Sequence, residues 1–190
     1  MVTLGTMIEE SASWVAVFGS GGAVPLTTVL LAMLALAVGG LARRSGGLVA
    51  ATGVSLAVVL GLTVVPTGGW PRFAVAPNAV ASVLANLQPR AGDLTAWARS
   101  YDGPPNVALF VPLGLCLALL LRRPLLATLL AVALSVTIEC YQASLTTRVG
   151  SFADVVSNGL GALVGAALAG ALLAALPPAR HPEGVGPVSR

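Results

Sequence analysis

Between residues 136 and 161 the chain reads VTIECYQASLTTRVGSFADVVSNGLG, and five charged or amide side chains fall within 20 residues, with apolar runs on both sides. Glu139 and Gln142 are three residues apart, and Asp154 and Asn158 are four apart. On helices, each pair would share one face, with Ser135 a turn before Glu139. Arg148 stands in the stretch that joins them. Two carboxylates beside a guanidinium can serve as acid and base when burial and charge set their proton affinities apart, which makes Glu139 and Asp154 the catalytic candidates. Arg148 can hold an anion such as phosphate. Asn106, Glu139, Gln142 and Asn158 can hydrogen-bond sugar or peptide groups, so a ligand site would comprise Asn106, Glu139, Gln142, Arg148, Asp154 and Asn158. The same residues could instead lock helices together with no ligand, since buried polar pairs can serve specificity. No nucleophile has a base beside it, and no Gly-rich phosphate loop is present. Neither a metal site nor a cofactor is expected; Glu139, Asp154 and Asn158 come nearest to a set that could hold magnesium.

These groups must be carried by spanning helices. The chain has 190 residues, 56% hydrophobic and 9% charged, where soluble domains carry about 25% charged. Its mean hydropathy is +0.92. A spanning helix needs about 20 mostly apolar residues. Five such runs are expected: 24–42, 46–65, 105–121, 124–145 and 154–176. The expected fold is all-α, a polytopic membrane bundle over 24–176, preceded by an outer or interfacial segment at 1–23. A Pro- and Gly-rich tail, 177–190, carries the lone His181 and is expected to be disordered and cytoplasmic. An ionisable side chain inside a span costs about 2.5–3.5 kcal/mol, so Glu139 should face the bundle interior and pair, with Arg148 the expected partner of Glu139, Asp154 or both.

All ten basic residues are arginine and form no stripe for nucleic acid. Arg43–Arg44 and Arg122–Arg123 fall in short loops, which marks those loops as cytoplasmic and places the N-terminus outside and the C-terminus inside. Asn106, the Glu139/Gln142 pair and the Asp154/Asn158 pair then arrive at the outer ends of three helices. In the outer segment 66–104, Val80, Val83, Leu84 and Leu87 mark one helical face, and Leu94, Trp97 and Tyr101 mark another, so short interfacial helices are expected there. Helix packing is expected at Phe110, Pro112, Gly114, Gly161 and Gly165. The two glycines would let another helix approach the last span, the fourth being its natural partner, and Pro112 would free a carbonyl and leave a cleft. Cys116 and Cys140 lie in different apolar runs and are expected to pack as apolar residues. Glu9 and Glu10 stand where a cleaved signal would carry basic residues.

The stretches NVALFVPLG (106–114), IECYQ (138–142) and RVGSFADVVSNGLGALVG (148–165), with NLQP (86–89) upstream, resemble the VanZ-like family of membrane proteins over roughly 80–165. That resemblance implies a multi-helix protein of the bacterial cell envelope. The family's namesake is linked to resistance against the glycopeptide teicoplanin, and the polar residues at the outer ends of the helices are expected to bind or remodel a membrane lipid or lipid-linked amphiphile. The resemblance implies no particular reaction.

Overall fold

A computed structural model describes residues 23–42, 45–67, 69–90, 95 and 103–175. The expected segments 1–23 and 177–190 lie outside it apart from Ala23, as does the expected helical face carrying Leu94, Trp97 and Tyr101. The described chain is all helical, with α1 at Ala23–Leu41, α2 at Gly46–Val64, a 3-10 turn at Trp70–Arg72, α3 at Ala79–Leu87, α4 at Gly103–Leu121, α5 at Pro124–Ala143 and α6 at Phe152–Ala175. Five of the six α-helices, all but α3, are long and apolar enough to cross a membrane. Polar side chains within them largely satisfy themselves: Thr28, Thr52, Ser55, Thr63, Thr128 and Thr137 each donate to the carbonyl four residues back. Lipid offers no hydrogen bonds, so such local closure is what allows a hydroxyl in a span.

The connections set the order of packing. Arg122, with φ of 54°, and Arg123 turn the chain between α4 and α5, and Pro124 starts α5. α2 ends before Pro66, which cannot continue a helix, and Gly69 at φ 84° turns the chain back so that its N–H reaches the Pro66 carbonyl at 2.8 Å. Trp70 donates from Nε1 to Thr27 Oγ1 of α1 at 3.2 Å, tying this turn to the start of the first helix. Further on, the 73–76 strand-like segment lies along the loop between α5 and α6. Val75 and Leu145 form an antiparallel bridge, with Ala76 N–H to Ser144 O at 2.8 Å and Thr146 N–H to Ala74 O at 3.0 Å.

α4, α5 and α6 form the centre, with α2 packed on α4 and α5 and α1 packed on α2. One cluster of the core joins Val59, Phe110, Leu113, Ala131, Ile138 and Ala162. A second, deeper toward the Arg122 turn, is built from Ala118, Ala127, Ala166 and Ala169. Side chains this small bring three backbones close together, which replaces the hydrophobic drive that lipid cannot supply.

The last helix meets α4 more intimately than α5, the partner expected from its short connection. A Cβ on Gly161 would strike the Val107 carbonyl, and one on Gly165 would strike the Val111 carbonyl and come within 2.6 Å of the Leu115 nitrogen. Gly114 answers from α4, where a Cβ would lie 2.7 Å from Ala162 Cα. Phe110 is fully buried beside these glycines. Pro112 is not in this contact: its ring is exposed on the outside of α4, and the helix runs unbroken past it.

Candidate functional site

The end of the bundle where α2 finishes and α4 and α6 begin gathers the polar residues. Asn106, one turn into α4, donates from Nδ2 to Asp154 Oδ1 in the first turn of α6 at 2.8 Å. Asp154 also sits where the unpaired N–H groups of α6 favour an anion. One turn further, Asn158 donates from Nδ2 to Ser135 Oγ of α5 at 2.9 Å, with both residues buried. Gln142 of α5 donates from Nε2 to the Thr63 carbonyl of α2 at 3.0 Å. Each bond joins two different helices, so the polar set ties α2, α4, α5 and α6 at one level.

Glu139 is 2% exposed, and its Oε2 accepts the main-chain N–H of Ser151 at 2.9 Å. Gly150 makes that reach possible. A side chain there would run into the α5 backbone at Glu139 and Ala143, so only glycine lets the loop lie this close.

Arg148, expected to pair with Glu139, Asp154 or both, spends one guanidinium nitrogen on main-chain carbonyls. Among the described residues no ion pair joins it to Glu139. Its Nη2 donates instead to the carbonyls of Leu62 at 3.2 Å and Val65 at 2.7 Å. Tyr141 OH donates to the Val64 carbonyl at 3.0 Å. With Gln142 on Thr63, four successive carbonyls at the end of α2 all receive side-chain donors from α5 and its loop. A helix leaves its last four carbonyls unpaired, and such a group away from water costs several kcal/mol. The basic and amide side chains of the polar stretch therefore serve first as the cap of a distant helix. Burial pushes the Arg148 guanidinium down from its ordinary value, while nearby Glu139 and Tyr141 hold it up; it stays a cation, as arginine does in proteins.

These residues line an open-mouthed cavity of about 340 Å³. Asn106, Glu139, Gln142, Arg148, Asp154 and Asn158 line it, so all six residues of the expected ligand set, including both carboxylates proposed as catalytic candidates, face one space. Leu62, Pro105 and Leu109 form its apolar wall, on the α2 and α4 side. Two lining side chains carry buried polar atoms with no protein partner, Arg148 Nε and Asn158 Oδ1. Among the described residues no group of three or more His, Cys, Asp or Glu is placed to hold a metal ion. Sequence reasoning missed Tyr141, Gly150 and the α2 carbonyls. The aromatic of IECYQ and the glycine of RVGS were visible signals, while main-chain carbonyls carry none.

Five long apolar helices knit together by polar side chains at one end define a multi-pass helical membrane protein. The VanZ/LLP1 family model matches residues 28–173, and the chain belongs to that family. The match takes in α1 and α2, beyond the 80–165 region on which the motifs alone rest. No curated protein and no solved structure matches the chain.

Proposed function

We propose that this protein binds, or helps to remodel, an amphiphilic molecule of the cell envelope, with the polar head group in the cavity between α2, α4, α5 and α6. The observation that supports this most is a cavity of about 340 Å³ in which the buried Asn158 and Arg148 each keep an unpaired polar atom. A polar network built only to lock helices would pair such atoms, because each one left alone costs about 1–3 kcal/mol. Ligand sites run from about 300 Å³ upward and combine an apolar wall with a few placed polar groups, which is the composition here. A lipid-linked wall intermediate, a phospholipid and a lipoglycopeptide such as teicoplanin all have the required division into head and tail. With the arginine pairs on the cytoplasmic side, the cavity opens at the outer leaflet, where each of these is met.

The hydrogen bonds between helices also hold the walls in place, so a helix lock is part of the same design. The test is thermal unfolding of the purified protein in lipid nanodiscs against a panel of phospholipids, undecaprenyl phosphate, lipid-linked wall precursors and teicoplanin, with Glu139→Gln in parallel. A ligand bound only by the folded state raises the melting temperature by mass action. A saturable rise that is lost or weakened in the folded Glu139→Gln protein supports the site. No rise with any compound leaves the lock as the whole role of these residues.

A further inference from the structure

If the cavity is a head-group site as proposed, its hydrogen-bonding inventory narrows the head group. Much of the lining is already committed. Asn106 Nδ2 is on Asp154, Gln142 Nε2 is on the Thr63 carbonyl, and Arg148 Nη2 is on the Leu62 and Val65 carbonyls. One oxygen of Glu139 accepts the Ser151 N–H.

Two needs are left over. Arg148 Nε–H is a buried donor without an acceptor. Asn158, only 3% exposed, has its Oδ1 unpaired while its Nδ2 meets the Ser135 hydroxyl. A hydroxyl can donate or accept, so the Asn158 amide can turn over and leave its NH2 unpaired instead. In either orientation one polar atom of Asn158 requires a partner. The occupant must therefore supply an acceptor to Arg148, meet Asn158 as donor or acceptor, and sit beside the carboxylates of Glu139 and Asp154.

Charged head groups meet only part of this. A bare phosphate satisfies Arg148 and is opposed by the acidic groups of Glu139 and Asp154 beside it. A quaternary ammonium offers no donor at all. A primary ammonium pairs with the carboxylates and gives Arg148 nothing. A hydroxyl both donates and accepts and carries no charge, and several on one ring can meet all of these groups together. Size agrees. At roughly 30 Å³ per liquid water, the cavity has room for about ten waters, more than one bridging water and enough for a ring. The wall of Leu62, Pro105 and Leu109 gives the C–H faces and the first tail carbons an apolar surface. We infer that the cavity takes the polyhydroxylated head group of an amphiphile, a sugar or glycerol moiety, in preference to a bare phosphate or an ammonium.

The test uses the full chain, purified in lauryldimethylamine oxide to avoid sugar detergents and reconstituted in phosphatidylcholine nanodiscs. Monoglucosyl diacylglycerol and phosphatidic acid with the same acyl chains are titrated, and the melting temperature is read. The expected result is a saturable rise of several degrees with the glucosyl lipid and a much smaller one with phosphatidic acid. The rise should disappear in Leu109→Trp, which fills the cavity and removes no polar partner. Leu62→Phe, narrowing the cavity from α2, serves if the tryptophan variant does not fold. A larger or equal response to phosphatidic acid overturns the hydroxyl preference and leaves the head-group site standing. A glucosyl response that survives both cavity-filling variants overturns the placement of the site. No response to either lipid overturns the inference, and the broader panel above then shows whether the head-group reading falls with it.

Discussion

At the scale of single residues, charge and hydrogen bonding can be separated. Glu139→Gln keeps an oxygen that can accept the Ser151 N–H, so it is expected to fold and to melt within a few degrees of the parent. Glu139→Leu leaves that N–H unpaired and is expected to cost about 1–3 kcal/mol. Thermal unfolding of both in detergent checks the difference; a glutamine variant as unstable as the leucine one would mean that the negative charge itself holds the fold. Arg148 makes the opposite case. Arg148→Ala strips the donor from the Leu62 and Val65 carbonyls and is expected to destabilise by at least about 2 kcal/mol, since bonds from charged donors are the stronger kind. Arg148→Lys should recover part of this, because an ammonium has three donors but lacks the planar fork. An alanine variant melting like the parent would remove Arg148 as the cap of α2.

At the scale of elements, the α4–α6 contact depends on glycines that have no room for a methyl group. Gly165→Val would push a branched side chain into the backbone of α4 near Val111 and Leu115. It is expected to abolish the folded, monodisperse protein in size-exclusion chromatography after membrane extraction. Gly40 and Gly47 are the internal controls, for a Cβ at either meets nothing within 4 Å. Gly40→Ala and Gly47→Ala should be neutral or stabilising, by up to about 1 kcal/mol, as alanine is the better helix former. Equal tolerance at all three positions would show that close approach of α6 to α4 is not what holds the bundle. The capping of α2 is the other contact at this scale, since it attaches the α1–α2 pair to the rest through Tyr141, Gln142 and Arg148.

Across the whole molecule, the placement of the cavity at the outer leaflet rests on orientation. In a background with Cys116 and Cys140 replaced by alanine, Thr67→Cys beyond α2 should react with a membrane-impermeant maleimide in intact cells. Ser45→Cys between α1 and α2 should react only after the cells are opened. The reverse pattern would put the cavity on the cytoplasmic side and redirect the ligand search to inner-leaflet molecules. The Trp70 and Phe73 side chains, just beyond α2, are exposed, as aromatic residues at a membrane boundary are.

The sequence by itself determined the spans. Apolar runs of about 20 residues bounded by arginine or proline admit little else in lipid, and the five helices start and stop close to where hydropathy places them. It also marked the polar stretch, because Glu139 inside an apolar run demands burial and partners. The tertiary structure decided who those partners are. Arg148 was legible as a residue in need of an acceptor, yet its acceptors are main-chain carbonyls of α2, and every helix has those whatever its side chains. The glycine face of α6 was legible too, while its choice of α4 over the nearer α5 depends on Gly114 offering a matching hollow across the contact. Pro112 read as a break and lies on the exposed side of a continuous helix, because the face a residue presents is set by what packs around it. The cavity itself belongs to no segment: it exists only where four helices hold their polar residues at one level.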